Sequence, residues 1–452
     1  MRRADWYPSV FNRKEKRSHG MKRREFCKDL VVGAAGVMLP RWLHAAAENP
    51  APAKAIPAAA GRRPNLIFIL SDDVGLGDIG CCGGRFQTPH IDELAKGGIR
   101  FELCYSTPLC GPSRCESLTG RYPFRTGMTS NGSALALRRR RNLEIMMPRM
   151  LKPAGYVSAS VGKWNQLPLQ PSDWGFDEYL RFQGSGLYWR EEGGLGRNSY
   201  TVNGEEKDLP EGKYLPDIMH DFLVDFITRH KDAPFYVHYP MSHVHAPIRR
   251  TPDTGTLRQN VYADNLSYMD KLVGKLVTEL ERLGLREKTL VVFTGDNGTA
   301  GRSLVNGKVI SGAKGSMWEG GSRVPLIVNW PGTTPAGKVS QDLIDFSDFY
   351  PTFAEVAGAK LPEGLTIDGH SFAPQVKGQR GTPREWIYVE LSGKCYVRSA
   401  PWKLTGEGEL YDMKDAPFVE AAVAADTTDA EAVAARKHLQ EVLDKLVERR
   451  GG

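Results

Sequence analysis

Cysteines, long apolar runs and an excess of one charge are all scarce in this sequence. Its 452 residues include only 7 cysteines, too few for a disulfide scaffold and without the paired spacing of a zinc site. The apolar run near the start, residues 30–39, is too short to span a bilayer. The formal charge of +7 comes from residues 1–47, which hold 11 Lys/Arg against 4 Asp/Glu. Because basic and acidic residues balance in the remainder of the chain, we expect no nucleic-acid partner. Because the apolar run is short, we expect no stable membrane span.

The first 47 residues have the pattern of an export leader. Arg23 and Arg24 precede the apolar run, and three alanines at 45–47 suit a signal peptidase. We therefore expect the twin-arginine translocase to export the chain as a folded protein, to a periplasmic or extracellular location. A basic amphipathic helix is the alternative interpretation. The Ala- and Pro-rich residues 48–63 are typical of a flexible linker.

Apolar runs and helical periodicity alternate along the rest of the chain. The patterns predict strands at 65–70, 155–162, 234–239, 289–294 and 324–328, and helices at 91–97, after Cys110, at 217–230 and at 262–283. This alternation predicts an α/β fold, a doubly wound mixed but mostly parallel sheet flanked by helices, over residues 64–379. Short strands at 386–389, 395–398 and 402–404 and a helix at 429–449 predict a smaller C-terminal α+β subdomain over 380–452.

Acidic and amide side chains follow two of the predicted strands. Asp72 and Asp73 come directly after the first strand, and Asp296 and Asn297 follow the strand at 289–294. In doubly wound sheets, ligands bind outside the carboxyl ends of strands. Each pair alone could be a helix cap or a turn. Together they form an oxygen-only set that favours one hard cation, Ca²⁺ or Mg²⁺.

One cysteine lies in an unusual motif. Residues 110–114 read Cys-Gly-Pro-Ser-Arg, and Leu-Thr-Gly-Arg follows at 118–121. This resembles the signature of the formylglycine-dependent sulfatases, the arylsulfatase-like family of the alkaline phosphatase superfamily. The resemblance implies that a formylglycine-generating enzyme oxidises Cys110 to formylglycine, which acts as the nucleophile and a further metal ligand. It also implies a catalytic role for Arg114 and favours Ca²⁺ over Mg²⁺.

The resemblance extends over about residues 64–415. It includes Thr-Pro-His-Ile-Asp at 88–92, Gly-Lys-Trp at 162–164, Asp-Asn-Gly at 296–298, Lys-Gly at 314–315 and Trp-Glu-Gly-Gly-Ser-Arg-Val-Pro at 318–325. By this resemblance Lys163, Lys314 and His245 are catalytic and bind the substrate sulfate, and Lys314 and His245 assist departure of the alcohol. His243 is either a spacing residue or an auxiliary acid or base that also binds substrate.

One position departs from the family pattern. Sulfatases usually have histidine after Gly-Lys-Trp, where this chain has Asn165. Asparagine can hydrogen-bond the hydrated aldehyde but cannot accept a proton at neutral pH. We expect Asn165 to orient that group, whereas His243, Lys314 or a metal-bound water would supply the base that expels sulfate.

Indications of the substrate are fewer. The expected reaction is hydrolysis of sulfate esters, and the expected substrate is a sulfated carbohydrate. The arginines at 138–141 are either a solvated run or a clamp for further anionic groups. Trp174, Tyr188, Trp189 and Trp318 could stack on sugars, although core packing explains most aromatic residues. Two alternatives remain: a phosphodiesterase or phosphonate monoester hydrolase of the same superfamily, and a non-catalytic binder of sulfated glycans.

Overall fold

The computed structural model describes residues 63–190, 198–255 and 260–448. The predicted leader, and all of the predicted linker except Arg63, lie outside these ranges. Within them, helices are too short or too polar to cross a bilayer. The strands are β1 Asn65–Ser71, β2 Ile99–Tyr105, β3 Val157–Lys163, β4 Glu178–Phe182, β5 Ser199–Val202, β6 Glu205–Asp208, β7 Phe235–Pro240, β8 Thr289–Gly295, β9 Leu304–Val305, β10 Lys308–Val309, β11 Arg323–Asn329, β12 Lys338–Asp345, β13 Ile387–Leu391, β14 Lys394–Arg398, β15 Trp402–Thr405, β16 Leu410–Asp412 and β17 Ala421–Val423.

Helices cover both faces of the larger sheet and one side of the smaller one. They are α1 Pro89–Lys96, α2 Cys110–Thr119, α3 Pro123–Thr126, α4 Ala134–Arg139, α5 Met147–Leu151, α6 Leu215–Arg229, α7 Val261–Arg282, α8 Glu319–Ser322, α9 Phe349–Ala357, α10 Ala373–Val376 and α11 Ala430–Glu448. The helices predicted at 91–97, 217–230, 262–283 and 429–449 are confirmed to within two residues.

A ten-stranded sheet organises the larger part of the described chain. Its order is β12-β2-β11-β8-β1-β7-β3-β4-β5-β6. The strands from β8 to β4 are parallel, whereas β11 is antiparallel to both of its neighbours, β2 and β8. The predicted doubly wound, mostly parallel sheet is therefore confirmed. Sequence analysis missed β2, β12 and β4 to β6, whose charged and polar residues interrupt the apolar runs.

The central strand β1 is apolar at every position from Leu66 to Leu70. Leu66, Phe68 and Leu70 pack into the core on one face of the sheet, and Ile67 and Ile69 pack into the core on the other. Because successive side chains of a strand point to opposite faces, a strand covered on both sides needs apolar residues throughout. This burial holds the end of β1, where the acidic residues begin, at the centre of the sheet.

A second, antiparallel sheet lies in the C-terminal part of the chain. Its order is β13-β14-β15-β16-β17, and α11 packs against it through Leu439, Leu443 and Leu446. The predicted C-terminal α+β unit is present, while its boundary at residue 380 stays a prediction. The order of its strands follows the chain, as expected for a meander joined by short turns.

Buried polar contacts tie this second sheet to the segment before β11. Glu319 contacts Arg398 of β14 at 3.1 Å and Arg323 at 3.2 Å, and it accepts a hydrogen bond from Tyr105. Although burial opposes it, these arginines lower the pKa of Glu319. A buried carboxylate of this kind is stable only while its cations remain in place.

Replacing Arg398 should therefore destabilise the fold. In Arg398→Met, Glu319 stays buried but loses its ion pair with Arg398. We therefore expect the free energy of unfolding to fall by about 3 kcal/mol. The measurement is the midpoint of urea denaturation. The exposed ion-pair residue Arg282 provides the control, because Arg282→Met should change stability by about 0.5 kcal/mol or less. Equal midpoints for both variants would contradict the role given to this pair.

Candidate active site

Most of the predicted site residues meet at the carboxyl edge of the larger sheet. They lie in or after six different segments of the chain, which all contribute to one pocket. Asp72 and Asp73 follow β1, Asp296 and Asn297 follow β8, Cys110 and Arg114 lie in the first turns of α2, Lys163 ends β3, and His245 follows β7. Lys314 enters from the segment between β10 and α8. All of these except Lys314 and His245 are almost fully buried.

The backbone at the end of β1 is held in an unusual conformation. Asp73 has φ of 60°, a left-handed conformation that is uncommon outside glycine. The preceding residue is fixed on both sides, because Asp72 N donates to His243 O at 2.8 Å and Val244 N donates to Asp72 O at 2.6 Å. These contacts aim two adjacent carboxylates into one pocket.

Each of the three carboxylates in this pocket has its own cation. Lys163 contacts Asp72 and Lys314 contacts Asp73. Arg114 donates to Oδ2 of Asp296 from Nε at 3.0 Å and from Nη2 at 2.7 Å. The three negative and three positive side chains therefore balance.

The environment separates the pKa values of two of these carboxylates. Burial raises the pKa of Asp72 to about 7, against the opposing effect of Lys163. Burial also acts on Asp296, but the positive charges of Arg114, Lys163 and Lys314 together outweigh it and lower the pKa of that carboxyl to about 2. Asp296 is thus ionised at any physiological pH, whereas Asp72 depends on nearby positive charge to remain so.

The thiol of Cys110 lies among these charges. Its Sγ is 3.4 Å from Asp72 Oδ1, 3.5 Å from Lys163 Nζ and 3.4 Å from Lys314 Nζ. Burial, followed by the charge of Asp296, raises the pKa of the thiol well above its usual value. An unmodified Cys110 is therefore a neutral thiol at physiological pH, and a neutral thiol is a poor nucleophile.

Two observations fit this pocket to a hard cation. The side chain of Asn297 donates from Nδ2 to Asp73 Oδ1 at 2.8 Å, but its Oδ1 is buried without a hydrogen-bond partner. A buried amide oxygen of this kind usually has a partner. Ligand atoms of Asp72, Asp73, Cys110 and His245 also lie within 4.8 Å of one another. The oxygens of this pocket suit calcium or magnesium.

His245 lies at the exposed edge of the pocket. Its Nε2 is 4.0 Å from Asp73 Oδ2, and its Nδ1 is 2.5 Å from the carbonyl oxygen of Ala246. Burial and the charge of Lys163 lower the pKa of His245 to about 4. A neutral ring that donates Nδ1–H to this carbonyl leaves Nε2 as a proton acceptor facing the pocket.

The structure does not bring the ring of His243 into this cluster. The His243 ring is fully buried beside Tyr188, Tyr214 and Tyr268, with its Nε2 3.0 Å from the Tyr214 hydroxyl. Burial lowers its pKa to about 3. The prediction of an auxiliary acid or base is thus not supported, and only the carbonyl of His243 serves the site, by holding Asp72. Asn165 is exposed and has no hydrogen-bond partner among the described residues.

Sequence analysis missed two polar residues beside Cys110. Asn131 Oδ1 accepts from Gly111 N at 2.8 Å, and Gln166 has a buried Oε1 without a partner. A Cβ at Gly111 would lie 2.7 Å from the methyl of Met128, so that this position admits only glycine without rearrangement. These contacts join segments that are distant in sequence, and no local pattern indicates them.

Two of the four aromatic residues considered for sugar stacking are in the core. Trp174 and Tyr188 are at most 1% exposed, and Trp189 donates its ring N–H to Arg250 O at 2.7 Å. Trp318 is 39% exposed. The arginines at 138–141 lie at the end of α4 and just beyond it, in the segment that Asn131 joins to the start of α2.

Comparisons with known proteins agree over nearly the whole described chain. A family model described as Sulfatase matches residues 64–359, and one described as N-sulphoglucosamine sulphohydrolase, C-terminal, matches residues 313–449. N-acetylgalactosamine-6-sulfatase of Canis lupus familiaris is 34% identical, with 73% of this chain and 69% of that protein covered. Arylsulfatase A of Homo sapiens is 31% identical, with 76% and 75% covered. The crystal structure of Ps i-CgsB in complex with k-i-k-neocarrahexaose has a TM-score of 0.70 at 26% identity, with 85% and 93% covered.

Proposed function

The chain belongs to the sulfatase family and hydrolyses sulfate esters, and we propose that its substrate is a sulfated carbohydrate and its reactive group a formylglycine made from Cys110. Support for a carbohydrate comes from N-acetylgalactosamine-6-sulfatase, a relative named for its sulfated sugar. The solved structure of Ps i-CgsB was determined with an oligosaccharide bound.

The protonation state and burial of Cys110 are the main support for a formylglycine at this position. It stands at the start of α2, within a complete Cys-Gly-Pro-Ser-Arg motif, and its thiol is held neutral by burial and by Asp296. A neutral, buried thiol has no use as a nucleophile or as a metal ligand. When formed, formylglycine supplies a hydrated aldehyde, with one hydroxyl as the oxygen nucleophile and the other as the route by which sulfate is expelled.

Mass spectrometry of the peptide that contains Cys110 tests this step directly. We expect the aldehyde in protein purified from its native host, together with hydrolysis of 4-nitrophenyl sulfate in preference to 4-nitrophenyl phenylphosphonate, a phosphonate monoester with the same leaving group. Cys110→Ser should abolish the hydrolysis. Cys115→Ser, on the same helix and equally buried, should retain it.

Two results would contradict the proposal. An intact thiol at Cys110, with sulfated glycans still bound, would make the protein a binder. A preference for the phosphonate would make it a phosphonate monoester hydrolase.

We further propose that Asp72, Asp73, Asp296 and Asn297 hold one divalent cation, Ca²⁺ in preference to Mg²⁺, with position 110 as a further ligand once modified. An all-protein set of carboxylate and amide oxygens suits Ca²⁺, whereas Mg²⁺ usually keeps several waters. The buried Oδ1 of Asn297, which has no hydrogen-bond partner among the described residues, supports a cation as its missing partner. The cation would add positive charge where an anionic ester binds.

Asn297→Ala should weaken calcium binding without changing the charge of the protein. We expect an affinity at least about 10-fold lower by isothermal titration calorimetry, since loss of even an indirect partner of a metal costs this much. Asp73→Ala should abolish tight binding. The exposed Asn142 gives the control, as Asn142→Ala should bind like the wild type. Unchanged affinity and stoichiometry in Asn297→Ala would show that the ligand assignment is wrong.

The sulfate group would be held by the cations that surround Cys110. Lys163 and Lys314 lie within 3.5 Å of its Sγ, so that both ammonium groups can reach oxygens of an ester bound at this position. Arg114, held by Asp296, contributes charge from the same helix. The N-terminal end of α2 adds the positive end of its helix dipole.

The two residues at the exposed edge would divide the proton transfers. Despite burial, the carboxylates around Lys314, with Asp73 foremost, raise its pKa, which keeps it protonated and able to donate to the departing alcohol. His245 offers an unprotonated Nε2 and can accept a proton from the group at position 110. We therefore propose that His245 acts as the base in sulfate release, where Asn165 replaces the family histidine, and that Lys314 is the acid.

Substrates with good and poor leaving groups separate these roles. Lys314→Ala should lose on the order of 10²–10⁴ in rate on a sulfated sugar, and much less on 4-nitrophenyl sulfate, whose phenolate needs no acid. His245→Ala should slow the steady state after the burst equally on both, because sulfate release is common to them. Burst kinetics measures both steps. The reverse pattern, with His245→Ala sensitive to the leaving group, would assign the acid to His245.

We also propose that the mature enzyme acts outside the cytoplasm. The paired Arg23 and Arg24 and the alanines at 45–47 support export by the twin-arginine translocase, in folded form and after modification of Cys110. The destination would be the periplasm or the exterior. A formylglycine-generating enzyme would then be a cytoplasmic partner of the precursor.

A further inference from the structure

A cavity of about 360 Å³ lies directly beside the active-site pocket. Asp73 and Ala246, the neighbour of His245, form its wall on the side of the reacting group. Phe86 and Tyr262 form an aromatic wall, with ring centroids 5.4 Å apart. This volume is at the lower end of the range for small-molecule sites.

Two exposed arginines line this cavity, Arg85 and Arg302. Arg302 makes no hydrogen bond or ion pair with any described residue. The Arg85 guanidinium lies over the Phe86 ring at 4.8 Å from its centroid. Two guanidinium groups are therefore available to a ligand beside the reaction centre, and guanidinium binds sulfate and carboxylate groups strongly.

The cavity also has two carboxylates, and both are already satisfied. Asp73 contacts Lys314. Asp78 is buried and accepts hydrogen bonds from Gly75 N at 2.9 Å, Tyr262 Oη at 2.9 Å and Thr299 Oγ1 at 2.6 Å. Asp78 thereby joins three of the segments that form the walls, and its hydrogen bonds come from these donors rather than from either arginine.

Close packing fixes the segments that carry the two arginines. A Cβ at Gly77 would lie 2.2 Å from Ser303 Oγ, so the chain next to Arg302 packs against this glycine. Asn306 N donates to Gly83 O at 2.7 Å, two residues before Arg85. Both arginines thus stand on segments held against each other.

The cavity lies on the side of the pocket where the alcohol part of a sulfate ester, the sugar, would be. Lys314 and His245 are the exposed members of the site, 17% and 22% accessible, whereas Lys163 and Cys110 are fully buried. A sulfate bound at the buried residues would point inward and its sugar outward, past His245. The sugar would then lie against the wall formed by Ala246, Phe86 and Tyr262.

We propose that this cavity binds a second anionic group, a sulfate or carboxylate, of the sugar whose sulfate ester is cleaved, with Arg85 and Arg302 as its ligands. The proposal rests on the sulfatase function proposed above and narrows it to substrates with two anionic groups. The cavity thereby acts as a specificity site for the reaction at position 110.

Matched substrates test the proposal with the modified enzyme. The probes are monosulfates of glucosamine, galactosamine and galactose, the corresponding disulfates, and the same monosulfates linked to a hexuronic acid. We expect kcat/KM to favour one dianionic series. Arg302→Ala and Arg85→Ala should each reduce this preference by about 10- to 100-fold, the loss expected for a charge-assisted hydrogen bond, and Arg302→Lys should retain part of it. Monosulfates should be cleaved as by the wild type.

The controls separate the possible outcomes. Arg380→Ala removes another exposed arginine and should leave the preference intact. Loss of preference for disulfates identifies the second group as sulfate, and loss for uronides identifies it as carboxylate. The proposal is overturned if Arg85→Ala and Arg302→Ala both keep the preference for dianionic substrates. It is also overturned if that preference is lost in the double variant Arg138→Ala with Arg139→Ala instead. In either case the sulfatase function stands. Failure to cleave any probe, 4-nitrophenyl sulfate included, overturns the proposed function itself and this inference with it.

Discussion

Three carboxylates that converge in one buried pocket are the constraint on which this site depends. Asp72, Asp73 and Asp296 have little contact with water, and an unpaired buried charge would cost several kcal/mol. Each carboxylate is paired with a lysine or an arginine, and these cations lie in α2, at the end of β3 and in the segment before α8. These cations neutralise the carboxylates, and they also surround the position at which an anionic ester would bind.

The same pairing sets the chemical state of the pocket. Arg114 keeps Asp296 ionised, and the charge of Asp296, together with burial, keeps the Cys110 thiol neutral. A cysteine in this environment is a poor nucleophile, so the proposed modification of Cys110 would supply the nucleophile that the unmodified residue does not.

The C-terminal sheet supports the pocket through the segment that carries Lys314. Lys403 donates to Met317 O at 2.6 Å, Glu319 N donates to Glu420, and the Ser322 hydroxyl lies 2.6 Å from that of Tyr396. These contacts hold residues 317–322 against β14 and β15. The smaller sheet therefore positions a lysine of the active site without contributing a residue to the pocket itself.

Much of this protein could be derived from local sequence. The continuous apolar run of β1 and the acidic residues after β1 and β8 predicted a buried parallel sheet with a polar site at its edge, because strand ends and periodicity are local properties. The motif at Cys110 indicated the family for the same reason.

The roles of His243 and Asn165 could not be derived in this way. Both stand in suggestive positions, yet the fold turns the ring of His243 into a cluster of tyrosines and leaves Asn165 exposed. The cavity with Arg85 and Arg302 was equally invisible, because these arginines are more than 200 residues apart and only the packing of Gly77 and Gly83 against the hairpin of β9 and β10 brings them together. Sequence by itself determined the elements and the chemical types of the site, whereas tertiary structure decided which side chains share a pocket, since burial and pairing depend on contacts between distant segments.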